Sequence, residues 1–336
     1  MKKLLLILVA VLSLGLFALV AVSVIQQLGE EGSPTPFEIR FRKGVSYSPQ
    51  SLTSPSAITD FWEKTKEAGE AVRTGGDWLN FSQSGKISPT VATLSARNNL
   101  VPVIEVNFFN QESGKLLRPL SVGNRQSYLD GSVSFARQYQ PPYFGMGVEI
   151  DTFYRAEPGE FDLFADLFSE VYDAVKAVSP QTQVFTTFQY ERLQGLRGGL
   201  FGGTNDLKKS NWDLLAKFPK ADLIAFTTYP GLIYKDPRDI PSDYYSRIKS
   251  HTEKPVAFTE MGWFSGRGIT GWESSEGEQA RFIARFFELT EGLDPQLAIW
   301  LHLYQQAKTE PFGTMSLFGE DGQPKDAWDV WVKASR

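Results

Sequence analysis

The chain has 336 residues and a formal net charge of −5, and 42% of its residues are hydrophobic. The absence of cysteine excludes disulfides, thiol catalysis and cysteine zinc sites, and two histidines do not make a histidine-rich metal centre. We therefore expect no metal and no organic cofactor. The acidic balance argues against nucleic acid and anionic lipid as partners, so we expect a neutral ligand.

An apolar segment opens the chain. Lys2 and Lys3 precede the uncharged residues 4–25, which as a helix would extend roughly 33 Å, enough to cross a bilayer. This is longer than the usual apolar region of a signal peptide, about 7 to 15 residues. We therefore predict a signal anchor over residues 1–25, while Ala21-Val22-Ser23 leaves a cleaved signal peptide as the alternative. Either way, the positive-inside rule places the remainder outside the cytoplasm, at the cell surface or secreted. This helix is the one expected contact with the membrane.

Residues 26–36, rich in Gly, Pro and Ser, predict a short linker, and the globular part starts near Phe37. Beyond it, short β-type runs alternate with helical patterns, which indicates parallel strands joined by crossover helices. The predicted strands are Gly44–Tyr47, Ala71–Thr74, Val101–Asn107, Phe144–Ile150, Val184–Gln189, Leu223–Tyr229, Val256–Glu260 and Leu297–Leu301. Helices are expected after each strand, most clearly over Ala57–Ala71, Phe161–Val178, Glu278–Thr290 and Lys325–Ala334.

Eight such units predict an α/β fold, a closed (β/α)8 TIM barrel forming a single domain over residues 37–336. An open doubly wound sheet is the alternative, but no glycine-rich nucleotide fingerprint follows the first strand. The glycines of residues 197–205 lack the Lys-Ser/Thr ending of a phosphate loop, so we interpret that segment as a surface loop. The oligomeric state is left open.

Two carboxylates stand where β-type runs end. Glu260 follows the apolar run that starts at Pro255, and Glu149 follows a similar run far away in sequence. Glycoside hydrolysis requires at least two carboxylic acids that face the scissile glycosidic bond. Each Glu is also compatible with an ordinary solvated or ion-paired strand end. Asp151 is a competing acid, because a position two residues beyond Glu149 would lie on the same strand face.

Other polar and aromatic residues are predicted at the same rim. Asn107, Gln189 and Tyr229 end strands, and Arg73 lies in the second one. Trp263 and Trp300 follow or end strands, where flat rings stack on sugar faces at little conformational cost. The segments after strands, 190–211 and 230–240, are long, as they are on the catalytic face of barrel enzymes.

This arrangement resembles the clan A retaining glycoside hydrolases, and TEMGW (Thr259–Trp263) with FTTYPG (Phe226–Gly231) is similar to their endo-β-1,4-galactanase and β-1,3-glucanase branches. The resemblance implies an acid/base Glu149 at strand 4 and a nucleophile Glu260 at strand 7. It also implies that Tyr229 hydrogen-bonds the nucleophile, that Arg73 lies beside it, and that Trp300 lies under the sugar.

One position departs from that family. Its members carry Asn directly before the acid/base, where it binds the sugar 2-hydroxyl, but this chain has Val148. Asn107 or Gln189 would have to supply the missing hydrogen bond. A catalytically silent barrel that binds glycan at the cell surface is therefore the alternative to a glycosidase or transglycosylase.

The two acids need unequal proton affinities. We expect Arg73 and the Tyr229 hydroxyl to favour the charged form of Glu260, and we expect Glu149, without a cation beside it and near a negative charge, to keep its proton. The hypothesis is a covalent glycosyl-enzyme on Glu260, cleaved by water that Glu149 activates.

Overall fold

Eight parallel strands close into a barrel in the computed structural model, which describes residues 40–334. The strands pair in chain order, and β8 closes the ring by pairing with β1. The predicted TIM barrel is therefore confirmed. The strands are β1 Arg42–Ser46, β2 Ala71–Asp77, β3 Val101–Asn107, β4 Tyr143–Met146, β5 Gln183–Gln189, β6 Leu223–Thr228, β7 Val256–Met261 and β8 Leu297–Trp300.

Helices surround this barrel, and they agree with the clearest predictions to within a few residues. They are α1 Pro55–Ala68, α2 Ile87–Arg97, α3 Val122–Tyr139, α4 Ile150–Ala156, α5 Pro158–Val178, α6 Tyr190–Leu193, α7 Glu276–Leu289 and α8 Asp326–Lys333. The start of α1 shows how sequence fixes a boundary, because the Ser54 hydroxyl accepts the Ala57 amide and Pro55 occupies the first turn. The longest helix, α5, buries Phe161, Phe164 and Phe168 at helical spacing.

The expectation of a helix after every strand is wrong for β6. The chain there forms three 3-10 turns, Pro230–Leu232, Pro237–Asp239 and Ser246–Ser250, before β7 begins. Prolines at 230, 237 and 241 explain this, because proline lacks the amide hydrogen of a helical hydrogen bond and its ring clashes with the preceding turn.

Two strands end three or more residues away from the predicted positions, whereas the other ends agree to within one residue. Strand β4 stops at Met146 instead of continuing to Ile150, because the next residue, Gly147, has a φ of 80° that extended backbone does not allow. Strand β2 continues past Thr74 to Asp77, which pairs with Asn107 of β3. The first correction moves Glu149 off the strand and into the turn that follows it.

No helix within residues 40–334 is long and apolar enough to cross a membrane. The signal anchor or signal peptide predicted over residues 1–25, the linker at 26–36 and the predicted start of the barrel at residue 37 lie outside the described residues.

Candidate active site

Glu260 lies at an irregularity of the sheet. Phe226 of β6 pairs with Phe258, whereas the next residue, Thr227, pairs with Glu260, so β7 carries one extra residue at Thr259. This bulge lets two consecutive side chains enter the barrel: the Thr259 hydroxyl lies 3.3 Å from a Glu105 oxygen, and Glu260 reaches an arginine inside the barrel. Regular alternation would turn one of them outward. The bulge therefore aims the Glu260 carboxylate at the barrel axis.

Two donors hold that carboxylate. Arg73 Nη1 lies 2.5 Å from Glu260 Oε1, and the Tyr229 hydroxyl donates to Glu260 Oε2 at 2.6 Å. Arg73 Nε also donates to the fully buried Glu105 at 2.6 Å. Burial acts to lower the Arg73 pKa, but the charges of Glu260 and Glu105 raise it above its ordinary value. Glu260 thus receives one hydrogen bond from a guanidinium and one from a hydroxyl.

A glycine makes room for this network. An ideal Cβ at Gly145 of β4 would lie 2.7 Å from Glu105 Cγ and 2.8 Å from the Phe185 ring. Glu105 in turn accepts the Thr187 hydroxyl at 2.5 Å. The buried Glu105 therefore positions Arg73, and Arg73 in turn holds the Glu260 carboxylate in place.

Glu149 stands in the turn between β4 and α4, not on the strand. Its φ of 59° and ψ of 46° are left-handed, a conformation that costs a non-glycine residue of order 1 kcal/mol and that clusters at functional sites. The Thr227 hydroxyl donates to Glu149 Oε1 at 2.7 Å. Because Thr227 is also the strand partner of Glu260, the two acids border one site.

The environment of Glu149 favours its protonated form. Burial, followed by the negative charge of Glu260, raises the pKa of Glu149 to about 8, although the Thr227 hydrogen bond and the charge of Arg192 oppose the shift. No cation within residues 40–334 lies within salt-bridge distance of Glu149, and the charge of Arg192 acts on it only from further away. Burial and Glu260 outweigh Arg192.

Asp151 and Gln189 serve the local structure instead of the cleft. Asp151 lies in α4, where its buried carboxylate accepts the Gln189 amide at 2.8 Å, so it does not share a strand face with Glu149. The Gln189 side chain donates to Glu191 at 2.9 Å and accepts the Arg192 amide at 2.7 Å, which starts α6. We therefore correct the prediction that Gln189 binds sugar, because its polar atoms are already paired.

Trp263 and Trp300 are fully buried, which corrects the prediction that they stack on substrate. The Trp300 ring packs between Phe282 of α7 and Trp331 of α8, and its indole nitrogen donates to the Met315 carbonyl at 2.8 Å. The Trp263 ring stacks on Phe282 as well, and its nitrogen donates to a serine hydroxyl. Both rings thus belong to the layer between barrel and helices.

Asn107, in contrast, faces the barrel interior. It ends β3 two residues after Glu105 and so shares its face. Its amide nitrogen lies 3.6 Å from the position of a Cβ on Gly75, and its carbonyl oxygen is buried without a hydrogen-bond partner among residues 40–334. Asn107 therefore stays the candidate for the sugar contact that Val148 does not make.

Sequence reasoning missed two residues of the site. Thr227 was visible inside FTTYPG, but only the pairing of β6 with β7 shows what its hydroxyl contacts. His302 follows β8, and burial lowers its pKa to about 4, with Glu260 acting against that shift and Arg73 adding to it. Burial therefore favours the neutral form of the His302 ring, which lies close enough to Glu260 and Arg73 for their charges to act on it. No cluster of three or more metal-ligating side chains occurs in the part of the chain that the structure describes.

Solved structures similar to this chain share its fold at low sequence identity. A family 39 glycoside hydrolase from the gut symbiont Bacteroides cellulosilyticus WH2 matches over 86% of this chain and 62% of its own, at 17% identity and a TM-score of 0.60. An exo-β-1,4-mannosidase from Opitutaceae bacterium strain TAV5 matches over 90% and 60%, at 13% identity and a TM-score of 0.61. Fungal β-1,4-galactanases match over 88% and 100%, at 13% identity and a TM-score of 0.62.

This chain spans about three fifths of the length of the first two of these structures. No family model matches it, and no curated protein sequence matches it. At such identities the similarity shows a common (β/α)8 barrel fold, and function has to be argued from the site itself.

Proposed function

We propose that this protein is a glycoside hydrolase that cleaves β-linked glycans with retention of configuration. One observation carries the proposal: two acids border one site at the C-terminal ends of β4 and β7, one ion-paired to Arg73 and the other with a pKa of about 8. A retaining glycosidase needs this inequality, because one acid attacks as an anion while the other donates a proton. The glycosidases among the similar structures support the same class of reaction.

In the proposed first step, the Glu260 carboxylate attacks the anomeric carbon while Glu149 gives its proton to the leaving oxygen. The glycosidic bond breaks, and an ester between sugar and Glu260 forms. In the second step, the ionised Glu149 takes a proton from water, and the water oxygen displaces Glu260 from the sugar. Arg73 and the Tyr229 hydroxyl hold Glu260 in place through both steps.

Sugar binding is assigned to residues that face the barrel interior. We propose that Asn107 provides the hydrogen bond that the related enzymes obtain from Asn before the acid/base, since Val148 is buried and apolar. The unpartnered Asn107 oxygen supports this role, because a buried polar atom without a partner costs free energy until a ligand satisfies it.

An activated 2-deoxy-2-fluoro glycoside tests the mechanism. The wild type should be labelled on Glu260, and mass spectrometry of the peptides locates the label. Glu260→Gln should lose turnover and labelling with folding intact, and Glu170→Gln, an exposed change of the same kind on α5, should lose neither. Hydrolysis that survives in Glu260→Gln would refute the nucleophile assignment.

The substitution of Val148 for the family's asparagine favours a second candidate, a catalytically silent barrel that binds glycan. The same experiment separates the two, since a silent binder takes up no label while it still binds neutral oligosaccharides. A screen against β-glucans, galactans and mannans with product sizing then identifies the sugar and distinguishes hydrolysis from transfer.

We also propose that the barrel acts outside the cytoplasm, held by residues 1–25. The charge pattern of Lys2, Lys3 and the apolar residues behind them supports this. Fractionation of cells that make the full chain or residues 26–336 tests it: we expect the full chain in the membrane fraction and the shortened chain in the soluble fraction.

A further inference from the structure

Three arginines lie near one another at the mouth of the barrel, and the charge of one of them, Arg192, acts on Glu149. Arg155 lies in α4, which follows β4, while Arg192 lies in α6 directly after β5 and Arg197 in the loop beyond it. These segments leave the carboxyl ends of the strands, so they stand on the same face of the barrel as the two acids. We refer to Arg155, Arg192 and Arg197 as the arginine cluster.

Contacts hold the cluster together. Arg192 Nη1 donates to the Thr152 hydroxyl at 3.1 Å, and Arg155 is three residues further along α4, on the same side of the helix. The Arg192 guanidinium also lies 4.7 Å from the centre of the Phe201 ring, in the loop that carries Arg197. This loop is closed on itself, because the backbone amide of Arg197 donates to an asparagine at 3.0 Å.

The positive charge of the cluster is not balanced by ion pairs. None of the three guanidinium groups has a salt bridge within residues 40–334, and Arg197 Nη1 is buried there without a hydrogen-bond partner. Burial, and next the like charges of Arg192 and Arg197, lower the pKa of Arg155. The charge of the nearby Asp151 carboxylate acts on Arg155 and Arg192 in the opposite direction, so the cluster sets three positive charges against that one negative charge. Like charges held together with an unused donor are suited to an anionic ligand.

We infer that the arginine cluster binds an acidic group of the glycan, either a uronic acid carboxylate or a sulfate ester. This inference rests on the proposed function. Arg192, one member of the cluster, acts on Glu149, the residue assigned to protonate the leaving oxygen, so we place the acidic group on the sugar at the leaving side of the scissile bond. The overall charge of −5 does not oppose this, because charges beyond about 8 to 10 Å are screened at physiological salt.

Equilibrium binding tests the inference without requiring turnover. The full-length Glu260→Gln chain is titrated with three probes: oligogalacturonides, sulfated galactan fragments and neutral galactan fragments. We expect at least one acidic probe to bind about tenfold or more tightly than the neutral one, the effect of a single charge-assisted hydrogen bond. The probe that shows the preference identifies the source of the charge.

Two further variants in the same background assign the preference to the cluster. Arg155→Gln with Arg197→Gln should abolish it, while Arg137→Gln, which removes one exposed charge from α3, should leave it intact. Raising the sodium chloride concentration should reduce it in the unsubstituted cluster, a readout that holds even if the double variant folds poorly. Equal affinity for acidic and neutral probes, or an acidic preference that survives the double substitution, would overturn the inference.

Failure of this inference and failure of the proposed glycosidase function give different results. Wild-type hydrolysis of neutral glycans without any acidic preference would sink the inference and leave the proposed function standing. Arginine-dependent binding of acidic probes in a chain whose wild type neither hydrolyses glycans nor takes up the fluoro-sugar label would keep the anion site and remove the glycosidase.

Discussion

Replacing Thr227 with valine removes the hydroxyl that is bonded to Glu149, the proposed acid/base. The Thr227 hydroxyl donates to Glu149 at 2.7 Å, and this bond lowers the pKa of Glu149 against the larger effects of burial and Glu260. A hydrogen bond to a charged group contributes about 1.5 to 3 kcal/mol, and part of it survives when the acid is protonated. With 1.36 kcal/mol per pH unit, losing the bond should raise the pKa of Glu149 by about one pH unit.

The pH profile of kcat/KM measures this effect. The proposed acid/base, Glu149, would work while it is protonated, so activity should fall as pH rises through about 8 in the wild type, and this alkaline limb should move about one unit higher in Thr227→Val. Thr186→Val is the matched control, because it removes a buried hydroxyl on the neighbouring strand β5 that has no partner among residues 40–334. An alkaline limb that stays in place or moves downward would refute the assignment of Glu149.

Three other substitutions have distinct expected outcomes. Glu149→Gln should remove one pH-dependent part of the stability: the pKa of Glu149 is raised in the folded state, so the wild type has stability that is lost as pH rises from the ordinary value of 4.5 through about 8, and its melting temperature should fall further between pH 5 and 8 than that of the variant. Tyr229→Phe removes a 2.6 Å hydrogen bond to Glu260, so kcat should fall about tenfold to a hundredfold with KM little changed, and an unchanged kcat would contradict the contact's role. Trp300→Phe should cost about 2 kcal/mol in urea unfolding without raising KM, because the ring packs against helices; a raised KM at full stability would place it in the sugar site instead.

The order of strands and helices follows from local pattern, as the agreement over β3, α5 and α7 shows. The four residues at the centre of the site, Glu149, Glu260, Arg73 and Tyr229, were found because parallel strands of a barrel all deliver their carboxyl ends to one face. Their roles remain predictions, but their proximity is a property of the structure.

Sequence by itself thus determined the barrel and brought Glu149, Glu260, Arg73 and Tyr229 to one face of it. Tertiary structure alone decided which way the side chains there turn: Trp300 faces the helices, Gln189 starts α6, and the bulge at Thr259 brings Glu260 inward. The physical reason is that periodicity encodes alternation along one strand, whereas bulges, positive φ angles and hydrogen-bond partners arise only from the pairing of neighbouring strands and from the close packing of the barrel interior.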